Sequence, residues 1–209
     1  MIHIVTAENR HLFRHALMEM HLQRKQVFID ELGWPLCADS GIEIDDYDSE
    51  EAIYLIEAEA PRAPVTASAR LLRTDRPHLL GERFAHLCAG ELPTGPNIWE
   101  ATRFCPAPGT PKGAQRHSML ARMIAAILET GLLFGIERVT FVASAALAPL
   151  ALKVGWSARA LGPAQRSGRE RLTAMSAEID AAGLKRVRDG NGFGAPLTRF
   201  TPGDLARAA

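Results

Sequence analysis

The chain has 209 residues, 47% of them hydrophobic and 23% charged, which is ordinary globular composition and excludes a disordered, collagenous or fibrous chain. This length fits one α/β or all-β domain, or two small ones, and we expect a single domain over residues 1–209. The 24 Lys and Arg balance the 24 Asp and Glu, so the net charge is zero and nucleic-acid binding is not expected.

The first predicted elements are helical. Residues 1–15 contain charged and polar side chains where a secretory signal needs an unbroken apolar core, so export is not expected. Residues 11–32 place apolar side chains at helical spacing, which predicts one or two helices that end at Gly33.

An acidic segment follows these helices. Residues 33–49 combine Pro, Gly and dense acids without periodicity, which predicts a long loop and makes it the first candidate for a functional site. Between Gly41 and Ala60 there are eight acids and no Lys or Arg. Such a run is usually a solvated surface, and the alternative is a site for a cationic ligand.

The rest of the chain alternates strands with helices. Strands are predicted at residues 53–57, 65–72, 97–104, 138–144 and 156–161. The first two form an antiparallel hairpin across a Pro-rich turn. One helix is predicted over Gln115–Phe134, ended by Gly135, and a shorter one over Ala145–Lys153. The long helix contains Arg122 and Glu129, so it is too polar for a membrane span and is expected to be buried.

The C-terminal part of the chain is basic and then irregular. Between Lys153 and Arg171 there are five basic residues and one acid. This excess of positive charge indicates either a solvated face or a docking surface for an acidic partner. Residues 190–209 are rich in Gly and Pro and are expected to be irregular.

This order of elements predicts an α/β fold with a single mixed sheet flanked by helices, not a doubly wound sheet. No GxGxxG, Walker or HExxH motif occurs. The three cysteines are scattered without metal-ligand spacing, so we expect no metal site, no disulfide framework and a cytoplasmic location.

Six charged residues of alternating sign lie on segments that we place around this sheet: Arg24, Asp45, Asp48, Arg70, Glu100 and Arg103. Taken singly, each is more often an exposed surface charge. Burial of such groups is costly unless they pair with one another. Their order along the chain therefore carries more weight than any one of them.

That order resembles a known family. The segments are Arg24-x3-Phe28-x5-Trp34, Glu43-Ile-Asp45-Asp-Tyr-Asp48, Arg70-Leu-Leu-Arg-Thr74 and Ile98-Trp99-Glu100-x2-Arg103-Phe104. They closely resemble the acyl-homoserine-lactone synthases, the autoinducer synthases of bacterial quorum sensing, with all eight hallmark positions filled. The resemblance covers about residues 1–160. It implies the mixed α/β sheet of the GCN5-related N-acetyltransferases.

The resemblance implies an acyltransferase that joins two substrates without a cofactor. The amine of S-adenosylmethionine attacks an acyl thioester, carried by acyl carrier protein or coenzyme A, to form an amide. The carboxylate of the same molecule then displaces methylthioadenosine and closes a homoserine lactone. The sulfonium leaves readily by itself, so no metal is required. No membrane partner is expected, and the pattern predicts no particular acyl length or oligomeric state.

The resemblance also assigns residues to S-adenosylmethionine. Asp45 and Asp48 have the sign to receive its ammonium and sulfonium groups. Arg24 and Arg103 have the sign and geometry to bind its carboxylate. Two aromatic side chains are the candidates for its adenine, with plain core packing as an equal alternative: Phe28 and Trp34.

Glu100 is the candidate general base in this interpretation. An α-amino group has a reference pKa of about 8, so most of it must lose a proton before it attacks at neutral pH. The alternative is that Glu100 only binds the ammonium or holds Arg103. Arg70 is expected to stand behind the site and to orient Asp48 or Glu100.

The acyl group is expected to lie beside the strands at 97–104 and 138–144. The candidate contacts are Thr102, Phe104, Val142, Ala143 and Ser144. Relatives that make 3-oxo lactones resemble one another in having Thr where we align Ala143, so an unsubstituted acyl chain is expected here. Lys153 and Arg159 are expected to dock an acidic carrier protein.

Two other functions remain open at this point. One is an N-acyltransferase that uses acyl coenzyme A and an ordinary amine. Such an enzyme would not require the eight-position pattern. The other is a non-catalytic module that binds S-adenosylmethionine or an acyl carrier, against which the intact Glu100 and Arg103 argue.

Overall fold

A computed structural model describes residues 1–38, 40–111, 113–168 and 170–203. Within these ranges the strands are β1 (Ile2–Val5), β2 (Ile53–Glu57), β3 (Ala67–Arg73), β4 (Ile98–Pro106), β5 (Arg138–Ser144), β6 (Ala158–Ala160), β7 (Gln165–Ser167), β8 (Glu170–Glu178) and β9 (Thr198–Phe200). The α-helices are α1 (Arg14–Arg24), α2 (Leu79–Arg83), α3 (Ala114–Phe134), α4 (Ala148–Lys153) and α5 (Ala181–Asn191). A 3-10 turn at Arg10–Phe13 leads into α1, which continues as a π-helix over Lys25–Glu31.

The strands form one mixed sheet in the order β6-β8-β5-β4-β3-β2-β1-β9, with β7 also paired to β8. Strands β1 to β4 are antiparallel neighbours, and β5 joins β4 in parallel. At the far edge β9 lies parallel to β1. The predicted α/β fold with a single mixed sheet flanked by helices is therefore confirmed.

Alternation along the central strands explains the two helical layers. Successive residues of a strand point to opposite faces. Leu55 of β2 packs with Ile124 of α3 in the main core on one face. The next residue back, Tyr54, packs with Ala16 and Met20 of α1 on the other face. The hallmark charges lie on the α1 face, next to this smaller apolar cluster.

The predicted central elements are largely confirmed, and the ends of the chain are not. β2 and β5 have their predicted bounds, and Gly135 ends α3 in the left-handed conformation with φ of 69°. The sequence analysis missed β1, α2, β7, β8 and α5. The expectation of irregular structure over residues 190–209 is wrong at residues 190–191, where α5 ends, and at Thr198–Phe200, which forms β9; residues 204–209 lie outside the described ranges.

β9 is held to α3 by one buried carboxylate. Glu129 accepts hydrogen bonds from the Leu197 N–H at 3.0 Å, the Thr198 N–H at 2.8 Å and the Thr198 hydroxyl at 2.7 Å. Arg188 of α5 donates to it at 2.7 Å. Burial alone would raise the pKa of Glu129, but these donors outweigh burial and lower the pKa. The C-terminal strand is thus tied to the core helix.

The helix that holds Glu129 belongs to the core. By length and composition alone α3 could cross a membrane, but 61% of its most apolar window is buried inside the fold. The two charged residues in its buried middle are paired, Arg122 with Glu57 of β2 and Glu129 with Arg188. The predicted buried helix is confirmed.

Two irregularities in β4 open the centre of the sheet. β4 pairs with β5 over Ile98–Glu100 and Arg138–Thr140, after which the two parallel strands separate. The pairing of β4 with β3 shifts register between Ser68 and Arg70, and Arg103 has a φ of 53°. A bulge of this kind redirects side chains and often lies beside a functional site. A cleft therefore begins where β4 and β5 separate.

Candidate active site

The acidic loop, residues 33–38 and 40–52, lies between the π-helix and β2 and is anchored at two points. At the first, the Glu43 N–H donates to the His21 carbonyl at 3.2 Å, and His21 Nδ1 donates to the Glu43 carbonyl at 2.9 Å. At the second, the Arg10 guanidinium donates to the Ala52 carbonyl at 2.9 Å. These anchors turn the acids of the loop toward the sheet.

Three arginines and three acids form a closed ionic network beneath this loop. Its members are Arg24, Arg70, Arg103, Glu43, Asp45 and Asp48. Arg24, at the end of α1, pairs with Glu43. The same guanidinium donates to both oxygens of Asp48 at 2.9 Å. This two-bond geometry fixes the carboxylate plane as well as its position.

The other two arginines come from the sheet and complete the network. Arg70 of β3 donates to the two oxygens of Asp45 at 2.5 and 3.0 Å, and it lies 2.7 Å from Asp48. Arg103, which the bulge of β4 redirects, donates to Glu43 at 2.8 Å and to Asp45 at 2.7 Å. The predicted pairing of Arg70 with Asp48 is confirmed, and Asp45 is a further partner.

Solvent access divides the network into a scaffold and an opening. The Asp45 side chain is 20% exposed, whereas that of Asp48 is 3% exposed and that of Arg70 is fully buried. The Arg24 side chain is as buried as that of Asp48, and that of Arg103 is 5% exposed. A substrate approaching from solvent therefore meets Asp45 first.

Electrostatics hold the buried part of the network ionised. Burial alone would raise the pKa of Asp48, but the guanidinium groups of Arg24 and Arg70 outweigh burial and keep the pKa well below its usual range. The Tyr54 hydroxyl donates to the same carboxylate at 2.9 Å. Burial would lower the pKa of Arg70, and its acid partners reverse this and raise it. Asp48 and Arg70 therefore stay charged at neutral pH.

Two aromatic rings lie beside the network. The π-helix presents Phe28, whose ring stacks on that of Trp34 with centroids 4.8 Å apart and planes 5° from parallel. The guanidinium carbon of Arg103 lies 5.8 Å from the Phe28 centroid. Phe28 is buried and Trp34 half-buried, so Phe28 packs from below and Trp34 presents ring surface toward solvent.

Glu100 lies outside the ionic network, in a different environment. It is fully buried, and its Oε1 accepts a hydrogen bond from the Leu80 N–H of α2 at 2.9 Å. Its Oε2 has no partner among the described residues. Burial raises the pKa of Glu100 to about 8. The alternative in which Glu100 holds Arg103 is wrong, because Arg103 pairs with the network acids instead.

The predicted acyl contacts do not share one face of the sheet. Thr102 accepts a hydrogen bond at 3.0 Å from Arg70 of the network, whereas Phe104 packs against the main core beneath α3. On β5, Val142 packs with the α2 cluster and Ala143 with the main core, on opposite faces. Ser144 accepts a hydrogen bond from the Leu147 N–H at 3.3 Å. These residues flank the cleft from both sides.

The predicted docking residues are both solvent-exposed. Lys153 is in the last turn of α4, and Arg159 is on the edge strand β6. In the described part of the chain, no group of three or more His, Cys, Asp or Glu side chains is placed to hold a metal ion.

Three site residues escaped the sequence analysis as candidates. Glu43 completes the network, and its spacing two residues before Asp45 was the available signal. Tyr54 binds Asp48 from β2, where its side chain was indistinguishable from a core aromatic. Tyr47 lies within the acidic loop itself, and its contacts become evident only in three dimensions.

The fold of the mixed sheet is shared with two solved proteins, one assigned as an N-acetyltransferase and the other an acyl coenzyme A N-acyltransferase, each with a TM-score of 0.56. The profile of the autoinducer synthase family matches residues 8–187. The chain therefore belongs to the autoinducer synthase family, and its class of activity is that of the acyl-homoserine-lactone synthases.

Individual relatives agree with this assignment. The acyl-homoserine-lactone synthase of Ralstonia nicotianae is 32% identical over 76% of this chain and 80% of its own. The isovaleryl-homoserine lactone synthase of Bradyrhizobium diazoefficiens is 31% identical over 75% of this chain and 77% of its own. The solved structure of the coenzyme A-dependent synthase BjaI with S-adenosylmethionine and isopentyl coenzyme A has a TM-score of 0.87 at 28% identity, covering 100% of this chain and 98% of that one.

Proposed function

We propose that this protein makes an acyl-homoserine lactone from S-adenosylmethionine and an acyl coenzyme A, with release of methylthioadenosine. The observation that carries the proposal is the ionic network, open to solvent at Asp45, together with the buried Glu100 at the start of the cleft. BjaI, solved with S-adenosylmethionine and isopentyl coenzyme A and again with methylthioadenosine, supports the same substrates and product. All three cysteines are free, which agrees with a cytoplasmic location.

In this proposal the network binds S-adenosylmethionine at its open side. Asp45 receives the ammonium, since it is the acid with the greatest solvent access. Arg103, which is next to Asp45 in the network, binds the carboxylate. Arg24 and Asp48 lie farther from solvent than Asp45 and do not pair with its carboxylate, so in this proposal they act as positioning residues together with Arg70.

The adenine is assigned to the aromatic pair. A 4.8 Å separation of the Phe28 and Trp34 rings leaves no room for a base between them. The adenine therefore stacks on the outer face of Trp34, while Phe28 supports that ring from below and contacts Arg103. Loss of the Trp34 ring would weaken binding of S-adenosylmethionine more than it slows the chemical step.

Glu100 takes the proton in the first step. A base with a pKa of about 8 is well matched to an α-amino group whose reference pKa is also about 8, because the transfer is then nearly balanced. The freed amine forms a bond to the thioester carbonyl carbon, and the carbon–sulfur bond breaks as the thiolate of coenzyme A leaves and takes up a proton. In this proposal N–H groups of β4 beyond Glu100, where pairing with β5 has ended, stabilise the oxyanion.

The second step needs no further group from the chain. A carboxylate oxygen of the amide intermediate attacks the γ carbon, and the carbon–sulfonium bond breaks with its electron pair on sulfur. Methylthioadenosine leaves as a neutral thioether, and the lactone ring closes. Arg103 releases its partner at this point, since the carboxylate becomes an uncharged ester.

The acyl chain is proposed to enter the cleft between β4 and β5 and to be unsubstituted at carbon 3. Ala143 is buried in the core beside this cleft and has no hydrogen-bond donor for a 3-oxo oxygen. Ser144 is adjacent, but successive residues of a strand point to opposite faces, so its side chain lies on the other face of β5 from Ala143. An unsatisfied oxygen costs about 1 to 3 kcal/mol, so we expect a roughly 5- to 150-fold preference for the unsubstituted thioester. Ala143→Thr should shift competing substrates toward the 3-oxo product.

A direct assay tests the donor and the product together. Purified protein is given S-adenosylmethionine with isovaleryl coenzyme A or with the same acyl group on acyl carrier protein, and lactone and methylthioadenosine are measured by mass spectrometry. We expect stoichiometric lactone and methylthioadenosine from the coenzyme A donor. An amide without methylthioadenosine would indicate an ordinary N-acyltransferase. Preference for the carrier protein, weakened by salt and by Lys153→Glu, would overturn the coenzyme A assignment.

A further inference from the structure

Tyr47 joins the acidic loop to α2. Its N–H donates to Asp45 Oδ1 at 3.0 Å, and its ring centroid lies 5.8 Å from the guanidinium carbon of Arg70. Its hydroxyl donates to Glu82 Oε2, on α2, at 2.7 Å. One half-buried side chain therefore contacts the ionic network on one side and a separate element on the other.

α2 is the element that holds Glu100. The Leu80 N–H of this helix is the donor to Glu100, and the Leu80 side chain is fully buried. The next residue, Gly81, packs so closely on His78 that a Cβ at this position would lie 2.7 Å from the ring. The inner side of α2 is thus fixed against the core, whereas Glu82 is on its exposed side.

We propose that the Tyr47–Glu82 hydrogen bond is a positioning contact that sets the acidic loop against α2. It fixes the separation between Asp45, where the substrate ammonium binds, and Glu100, which takes its proton. The inference rests on the proposed function. Tyr47 is a positioning residue and not a catalytic one, because its hydroxyl is engaged by Glu82.

The chemistry of the pair suits a permanent contact. Burial raises the pKa of Tyr47 to about 12, and the hydrogen bond to Glu82 adds to this effect while Arg83 opposes it. The phenol is therefore a neutral donor at every pH used in an assay, and the exposed Glu82 carboxylate is its acceptor. Substitution of either residue therefore removes this hydrogen bond, and the titrating groups of the ionic network stay unchanged.

The expected effect falls on the chemical step. Reacting groups must lie within about 3.5 Å of each other, and a displacement of about 1 Å costs roughly 100-fold in rate. Asp45 itself stays bound to Arg70 and Arg103, so the ammonium site survives loss of the Tyr47 hydroxyl. We expect Tyr47→Phe to lower kcat by about 10-fold or more and to leave KM for S-adenosylmethionine within about twofold.

A set of matched variants tests this contact. Glu82→Ala should reproduce the fall in kcat of Tyr47→Phe, and Glu82→Gln, which keeps an oxygen acceptor, should restore most of the rate. The double variant Tyr47→Phe/Glu82→Ala should be no slower than either single variant, since both remove the same hydrogen bond. Glu59→Ala, at an exposed acid away from the network, controls for the loss of surface charge.

Two results would overturn the inference. One is an unchanged kcat in both Tyr47→Phe and Glu82→Ala. The other is a rise in KM for S-adenosylmethionine, together with a fall in kcat in the double variant that equals the product of the two single falls. That result would indicate that the two residues have separate structural roles. Failure of the proposed function is distinguishable, because it appears in the unmodified protein as an absence of lactone and methylthioadenosine. Should Tyr47→Phe fold poorly, Glu82→Ala at the protein surface gives the same readout.

Discussion

The two buried carboxylate environments on the α1 face differ in almost every respect. Asp48 is surrounded by two arginines and a tyrosine hydroxyl, and its pKa is held well below the usual range. Glu100 has no charged hydrogen-bond partner in the described part of the chain, only backbone donors at the start of α2, and burial raises its pKa to about 8. The same functional group is therefore permanently charged at one position and easily protonated at the other.

This difference separates binding from proton transfer. A carboxylate with a very low pKa cannot accept a proton at neutral pH, so Asp48 serves as a fixed charge that orients arginines. A carboxylate with a pKa near that of the substrate amine is suited to exchange a proton with it. Two neighbouring groups with pKa values pushed apart in this way indicate which one is the acid–base residue.

We expect the largest loss of stability from a substitution that breaks the ion pairs of Asp48. Asp48→Asn removes one of the two charged partners of Arg24 and one of the two of Arg70 in a buried site, which should cost about 2 to 4 kcal/mol. For a chain of this size we expect the Tm to fall by roughly 5 to 15 °C, together with a loss of activity. Thermal unfolding and turnover measure both effects. Wild-type Tm with unchanged affinity for S-adenosylmethionine would contradict the scaffold role.

Removing the proton acceptor should slow the reaction while leaving the network intact. Glu100→Gln keeps the shape and the Leu80 hydrogen bond, so we expect kcat to fall by about 100-fold near pH 8, where Glu100 is ionised in a large fraction of the molecules. The variant should recover partly at high pH, where the substrate amine deprotonates by itself. The pH dependence of kcat provides the measurement, and a loss that is equal at every pH would favour a binding role for Glu100.

The same substitution should change the pH dependence of stability. Folded protein keeps the Glu100 proton up to about pH 8, whereas the unfolded chain releases it near 4.5. Between these values the folded state binds more protons, so stability falls as pH rises. We expect the wild-type Tm to drop more than that of Glu100→Gln between pH 6 and pH 9. Parallel curves for the two proteins would argue against the raised pKa.

The smallest expected stability change is at the opening of the network. Asp45 is 20% exposed, and Asn keeps one acceptor oxygen for its arginines. Asp45→Asn should therefore cost only about 1 kcal/mol of folding free energy. Its effect should instead appear as a rise in KM for S-adenosylmethionine, obtained from initial rates. A Tm loss as large as that of Asp48→Asn would show that the two acids do not differ as described.

The sequence predicted the membership of this site better than its internal arrangement. Family resemblance brought Arg24, Asp45, Asp48 and Arg103 together correctly, because opposite charges at those positions need one another when buried. It did not separate solvent-facing from buried members, since charge and order along the chain carry no information on depth. Glu43 was missed for a related reason, as it stood among many acids of the same segment.

The predictions of the fold divide in a similar way. Strands with a local apolar pattern were predicted, and strands that depend on long-range contacts were missed. Strands with clear apolar runs, such as β2 and β5, were predicted at their bounds. β8 begins with Glu170 and Arg171, which conceal the buried half that follows. β9 has three residues and depends on Glu129 of α3, about seventy positions earlier in the chain. No local pattern could have indicated it.

β9 also protects the solubility of the protein. It covers the outer edge of β1, a strand in which every residue from Ile2 to Val5 is buried. An uncovered apolar edge strand is a template for pairing with another chain and hence for aggregation. A chain cut before Thr198 would expose that edge and remove both Thr198 donors from Glu129. β9 thus covers an edge at which copies of the chain could otherwise pair, and it lies far from the cleft.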